Sequence, residues 1–274
     1  MIHLDMNDAR SFNMLAAMML SAPVIHTGEW QSQDTSNSPM HATYEMTNVS
    51  LKLNVPISPE DLEQITQPNL PWANVHFLER VSGTPFNPPP SHKLWPWARH
   101  NADHQDATDK FSHTYPERFW PRHAGHDYPD TYNTDRNRPN HGIRFRYGDL
   151  NDVIDLLVRS PLTRQAYLPV WFPEDTGAHH GQRVPCTLGY HFMIRDGRVQ
   201  CWYPMRSCDL IRHLRDDLYL AGRLMQWVAA HVTQRTNEDF GVNDPGGWTP
   251  GTLHMTISSL HAFVGDKWKL GEMK

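Results

Sequence analysis

The stretch from Pro185 to Phe263 constrains the fold more than any other part of the chain. Residues 186–194 read as a strand, Asp196-Gly197 is a two-residue hairpin signal, and residues 198–205 return antiparallel. Residues 209–232 then read as one long helix, apolar at Leu210, Leu214, Leu218, Leu224 and Val228. Residues 252–258 form a last strand. A helix of that length must bury its apolar stripe on the sheet that its flanking strands build. The expected fold class is therefore α+β, a twisted mixed sheet packed by a long central helix.

Upstream the pattern is more varied. Residues 7–20 read as a helix. Ser58-Pro59-Glu60-Asp61 is a helix start, with a capping hydroxyl, a first-turn proline and two acids at the positive end of the dipole. A further helix covers 71–81 and stops at Gly83, and 149–159 is helical with Leu150, Val153, Ile154 and Leu157 on one face. Residues 166–172 read as a strand. Between about 84 and 142 the chain is rich in Pro, His, Asn and Asp, with Trp95, Trp97 and Trp120 interspersed. Disordered linkers are poor in aromatics, so this reads as an ordered, loop-rich insert that lines a pocket. The 274 residues suit a single domain, and no internal repeat is visible.

A net charge of -5 argues against a nucleic-acid backbone as the main partner. Three cysteines, Cys186, Cys201 and Cys208, do not make a disulfide framework and fit a reducing cytoplasm. The apolar run from Met14 to Ala22 follows Asp5 and Asp8 rather than a basic leader, so it reads as an amphipathic helix and not a signal peptide. No run reaches the roughly eighteen apolar residues of a membrane span. The expectation is a cytoplasmic protein with no direct DNA or membrane binding. His100 and His104 are spaced four apart, and His179-His180 sits in a polar loop, but no Cys/His cluster has zinc-like spacing and no metal is expected.

Cys186 is the leading candidate nucleophile. It follows a proline at the start of a strand, and Arg206 lies just beyond the hairpin partner, where a guanidinium can lower a thiol pKa. The competing reading is a small buried apolar residue.

Val184-Pro185-Cys186-Thr187, followed 20 positions after Cys186 by Arg206-Ser207-Cys208-Asp209, resembles the active-site core of the thymidylate synthase superfamily. Ser160-Pro161-Leu162-Thr163-Arg164 resembles that family's phosphate-binding arginine segment, and His261-Ala262-Phe263 its His-x-Tyr ribose motif. The likeness runs in order over about residues 142–263.

The resemblance implies that Cys186 adds to C6 of a pyrimidine nucleotide and so makes C5 nucleophilic toward a methylene borne by 5,10-methylenetetrahydrofolate. It implies that Arg206 and Ser207 hold the nucleotide phosphate and that His261 contacts the ribose. Arg164 then reaches the neighbouring subunit's site, in a homodimer formed through the sheet. Asp209 lies near the folate, and Trp95 and Trp97 resemble the tryptophan pair beside it; otherwise these two are ordinary core or lid aromatics. Glu79 is the candidate for the family's catalytic glutamate, though its spacing to Gly83 is short.

Departures are informative. Thr187, Gln165, Met205 and Phe263 stand where the family has His, Arg, Gln and Tyr. Synthases place an asparagine eleven positions after the Arg of Arg-Ser-x-Asp to read the uracil edge, and that count from Arg206 lands on Asp217. A carboxylate accepts from a cytosine 4-amino group and repels the uracil O4. Asparagine-to-aspartate here resembles the dCMP hydroxymethylases, of the kind phages use to make modified cytosine for DNA. The bland alternative is a solvated helix residue beside Asp216.

Eleven residues follow Phe263, whereas synthases continue into a tail that closes over the folate. A site open to water implies a 5-hydroxymethyl product. The implied sequence is addition of Cys186, attack by C5, loss of tetrahydrofolate assisted by Glu79 through water, and addition of water, with Asp217 holding the 4-amino edge. The expected function is thus dCMP hydroxymethylase. Alternatives are a dUMP or CMP hydroxymethylase, a divergent thymidylate synthase, or a catalytically idle nucleotide- or RNA-binding relative, against which an intact Cys186, Arg206 and Asp209 argue.

Overall fold

The computed structural model describes residues 2–8, 10–30, 33–97, 109–122, 124, 148–176, 183–241 and 247–272. Its strands are β1 (Ile2–Asp5), β2 (Val24–Ile25), β3 (Glu29–Trp30), β4 (Gln33–Asp34), β5 (Thr43–Asn54), β6 (Tyr167–Pro169), β7 (Gly189–Arg195), β8 (Arg198–Asp209) and β9 (Thr249–Phe263). The helices are α1 (Ser11–Leu20), α2 (Pro59–Thr66), α3 (Trp72–Arg80), α4 (Tyr115–Phe119), α5 (Leu150–Arg159), α6 (Leu214–Phe240) and α7 (Lys267–Leu270). His100, His104 and His179-His180 lie outside the described residues.

The main sheet runs β1-β5-β9-β8-β7-β6, with β2 also on β5, and β3 and β4 form a separate ribbon. The β1–β5 and β8–β9 pairs are parallel and the rest antiparallel, so the sheet is mixed and the fold is α+β. A parallel pair needs a long crossover. For β8 and β9 that crossover is α6, which lies on both strands and also packs against α2, α3 and α5. Leu214, Leu218, Ala221, Met225, Val228 and Val232 repeat at three- and four-residue steps and are all fully buried. Among the described residues no helix is long and apolar enough to cross a membrane.

Local chemistry explains the element ends. Asp196 and Gly197 both take positive φ, 51° and 73°, which gives the β7–β8 turn the twist that its strands require. Ser58 caps α2 by accepting from the Asp61 amide at 3.2 Å, and Asp149 caps α5 through the Asn151 and Asp152 amides. The central helix begins five residues later than its apolar pattern predicts. Asp209 ends β8 instead, and its Oδ1 accepts from the amides of Ile211 and Arg212, both at 2.9 Å, to make a side-chain turn before Leu214. The strand expected over 166–172 is confined to Tyr167–Pro169, because the Val170 and Trp171 amides converge on one carbonyl, that of Leu188. The last strand is much longer than expected, since β5 and β8 pair with it on both edges.

Gly222 sets how closely α2 approaches α6. A Cβ there would meet Leu62 Cδ2 at 2.7 Å, inside contact distance, and Leu62 is itself fully buried. Gly222→Ala is expected to destabilise the fold by about 1–3 kcal/mol through overpacking. Urea unfolding should show a lower midpoint with an unchanged m-value.

Candidate active site

Cys186 sits just before β7. Regular pairing starts at Gly189, later than the sequence pattern predicts, but the preceding residues remain tied to β8. Arg206 N donates to Cys186 O at 2.9 Å, Thr187 bridges to Met205, and Leu188 N donates to Pro204 O. The hairpin therefore brings Cys186 and Arg206 together as their spacing suggests. The Arg206 side chain folds back onto the same segment, with Nε donating to Pro185 O at 2.9 Å and Nη2 to Val184 O at 3.0 Å. Its guanidinium lies 5.9 Å from the centre of the Trp171 ring. Among the described residues no carboxylate lies within ion-pair distance of Arg206 or of Arg183.

A cavity opens beside the Cys186 thiol. Trp95, Cys186, Ser207, Asp209 and Asp217 line it, as do Trp72, His76, Arg80, Tyr115, Arg183 and His213. Asp217 is reached from α6 and its Oδ2 accepts from Cys208 Sγ at 3.4 Å, so it is not a freely solvated helix residue. Ser207 Oγ meets His261 Nδ1 at 3.2 Å because β8 and β9 pair in parallel with Ser207 opposite Ser259 and Asp209 opposite His261. His261 thus stands behind Ser207 rather than in the cavity wall. Trp95 stacks on His213, with centroids 5.8 Å apart at 12°. Trp97 is elsewhere, under the charged ends of Arg212 and Lys269, which ends any direct pairing with Trp95 in the wall. Arg164 is exposed and lies outside the cavity; its carbonyl accepts from His191 Nε2.

Glu79 lies on α3, the helix that also carries Trp72, His76 and Arg80. It is buried, but its carboxylate accepts from the Ser91 amide at 2.7 and 3.1 Å and is not part of the cavity lining. On α3 the residues that face the cavity are Trp72, His76 and Arg80, at four-residue steps along one face, while the Glu79 carboxylate turns to the Ser91 amide. The i,i+4 spacing of His76 and Arg80 is the sequence signal that could have identified them. Tyr115 and Arg183 were also missed. Tyr115 Oη is 3.0 Å from Thr187 Oγ1, one residue beyond Cys186. The Arg183 carbonyl accepts from Ser112 and His113, which ties the 109–114 loop to the nucleophile segment.

Burial dominates the ionisation of the site. It pushes the Cys186 thiol up, while Arg206 and Arg183 pull it down and Asp217 and Asp209 oppose them. Burial lowers His76 and His213 to about 4 and His113 to about 3, so all three are neutral at pH 7. Burial raises Asp217 to about 7 against the pull of Arg80. Glu79 is pushed up by burial, but hydrogen bonds from His76 and Ser91 outweigh that and hold it below its ordinary value.

The raised Asp217 carboxyl has a consequence for stability. Between its ordinary value of 3.8 and about 7 the folded state keeps a proton that the unfolded chain has released. Stability from this group is present below pH 4 and is lost as pH rises to about 7. Asp217→Asn removes that loss, so its melting temperature relative to the natural chain should climb between pH 4 and pH 8. Thermal melts across that range check it; a constant difference would mean that Asp217 titrates normally.

No protein-family model matches the chain. A Methanosarcina barkeri protein named "Putative thymidylate synthase" is 29% identical over 147 residues, which is 53% of this chain and 58% of that protein. A protein of the same name from Methanosarcina acetivorans is 31% identical over 121 residues, 44% of this chain and 48% of its own. The chain spans about half the length of these curated relatives. These likenesses point to the thymidylate synthase superfamily and to nothing finer.

Proposed function

We propose that this protein transfers a one-carbon unit from 5,10-methylenetetrahydrofolate to C5 of a pyrimidine nucleotide, with Cys186 as the nucleophile and dCMP as the substrate. The observation that carries the reading is the meeting of Cys186, Arg183 and Asp217 around one cavity, with Arg206 hydrogen-bonded to the Cys186 segment and no carboxylate within ion-pair distance of either arginine among the described residues. Arg206 and Arg183 flank the thiol, with Ser207 beside them, and together they suit the nucleotide phosphate. His261 orients Ser207 through their hydrogen bond. Arg164 points outside its own cavity, as a residue serving a partner's site in a twofold dimer would. The exposed Trp202 and His254 on the sheet give such a dimer a face to use.

Cys186 Sγ adds to C6 of the base, and its proton passes to solvent. The C5=C6 electron pair moves to C5 and, by conjugation, toward the C4 edge. Asp217, ionised above pH 7, accepts from the cytosine 4-amino group there. The cavity walls of Trp72, Trp95 and Phe111 are flat and apolar, which fits a reduced pterin. Bound there, the folate supplies the one-carbon unit. Glu79 acts from behind the wall by fixing Ser91, and the product of this reading is 5-hydroxymethyl-dCMP.

A second reading has its own support. Below pH 7 the protonated Asp217 carboxyl donates instead, and a donor favours the uracil O4. The printed names of the relatives also point toward methylation of a uracil nucleotide.

Mass spectrometry of products from dCMP, CMP and dUMP, each with methylenetetrahydrofolate, separates these readings. A 5-hydroxymethyl product from dCMP, absent with Cys186→Ala, is expected. Asp217→Asn should move the cytosine-to-uracil ratio of kcat/KM toward uracil by about 10–100-fold, the worth of one mispaired buried group. A 5-methyl product from dUMP at pH 8 would overturn the dCMP reading.

A further inference from the structure

Two arginines are buried to below a tenth exposure among the described residues, Arg80 at 4% and Arg118 at 3%. They are treated very differently by the fold. Arg118 grips Asp175 in a two-pronged ion pair, at 2.9 Å on both nitrogens. Arg80 has no carboxylate within ion-pair distance among the described residues, and its Nε has no hydrogen-bond partner. An unpaired buried cation is costly, and folds retain one where a ligand or a reaction supplies the opposite charge.

Its position is firmly set. Nη2 donates to His76 Nε2 at 2.8 Å, which places the imidazole proton on Nδ1, 3.0 Å from Ser91 Oγ. The Ser91 amide in turn donates to Glu79. His76 is stacked on Trp72 with centroids 4.8 Å apart, and the guanidinium lies 3.9 Å from the Tyr115 ring centre. The chain Glu79–Ser91–His76 thus clamps Arg80 at the cavity wall. Asp217 feels its charge, although the two are not in contact. A slot remains between a fixed cation on α3 and a carboxyl on α6, with the Cys186 thiol at its side.

We propose that Arg80 is the cation that stabilises the negative charge driven toward the C4 edge of the pyrimidine when Cys186 adds to C6. This rests on the reading of Cys186 given above. As the S–C6 bond forms, the C5=C6 pair moves onto C5 and into conjugation with N3 and the C4 substituent, and the thiol proton goes to solvent. A preorganised donor that meets this charge in a water-poor slot acts on the adduct far more than on the resting base. Glu79 and His76 are positioning residues, which hold Arg80 without touching the base. A pyrimidine also completes the charge pattern of the slot, since each base offers an acceptor to Arg80 and a donor to Asp217 along one edge.

The test needs no folate. Reversible addition lets C5 take a deuteron from D2O and lose its own proton before Cys186 is expelled, so C5–H exchange of dCMP and dUMP, read by mass spectrometry, reports adduct formation. The natural chain should exchange one of them and Cys186→Ala neither. Arg80→Gln is expected to slow exchange about 100-fold, with nucleotide Kd within about threefold of the natural chain. Exchange at the natural rate, or a loss matched by failure to bind nucleotide, overturns the proposal. Arg80→Lys keeps a cation in the slot and decides the matter should the glutamine variant not fold. It should exchange within about tenfold of the natural chain, and a folded, nucleotide-binding lysine variant without exchange is equally fatal. No exchange by the natural chain would instead remove the Cys186 reading itself, and this inference with it.

Discussion

Parallel pairing of β8 with β9 is the constraint on which the site depends. It requires a crossover, and α6 supplies it, so the helix must start just past Asp209 and run back beneath the sheet. That start places Asp217 on the first turn, against Cys208 on the strand it has just left. The same register sets Ser207 beside His261. The other edge of β8 binds the Cys186 segment through Arg206. One strand thereby gathers the Cys186 thiol from one neighbour, a histidine from the other and a carboxyl from the crossover. Shifting any one register by a residue would turn these side chains to the opposite face.

The electrostatic character of the cavity follows from what burial does to each residue type. Imidazoles lose their protons, as His76, His113 and His213 do. Arg80 and Arg183 line the cavity with Asp209 and Asp217, and Arg183 and Arg206 both act on the Cys186 thiol. On the proposed reading, a pocket stocked in this way suits an anion near Arg183 and Arg206 and polarises a neutral ring beside Arg80. The loop over 84–97 and 109–114 adds the apolar walls, and it is tied down locally. The Asn87 side chain donates to Phe111 O and accepts from its amide, both at 2.9 Å, and Thr114 Oγ1 donates to Phe86 O.

Much of the architecture was legible because its signals are local. The Asp196-Gly197 turn, the Ser58 cap and the apolar stripe of α6 each depend on a few neighbouring residues, and each stands where its pattern puts it. The late start of α6 was not legible, since Asp209 gives its oxygen to a turn that helix periodicity does not reveal. Cys186 and Asp217 were reached by spacing and share the cavity. A motif count fixes a residue's place in the chain but not what its side chain meets, and the Glu79 carboxylate meets the Ser91 amide. On α3, Trp72, His76 and Arg80 line the cavity at four-residue steps, and Glu79 instead takes the amide of Ser91, itself a residue of the lining. The Asn87 contacts span 24 residues, and no local pattern predicts such pairings.

The resting thiol is the last element to reconcile. Burial holds Cys186 in its protonated form despite Arg206 and Arg183, which argues against a site tuned to display a free thiolate. Catalysis does not require one. What accelerates addition is stabilisation gained between the free base and the adduct, and a cation that only becomes fully useful once charge has left the sulfur supplies that difference. On the proposed reading, a nucleotide phosphate at Arg206 would offset the two cations nearest the thiol and leave Arg80 as the uncompensated positive charge beside the base. The electron pair leaving sulfur then moves away from neutralised cations and toward a fixed one. On that reading Arg80, fixed at the cavity wall by His76, gives the addition a direction.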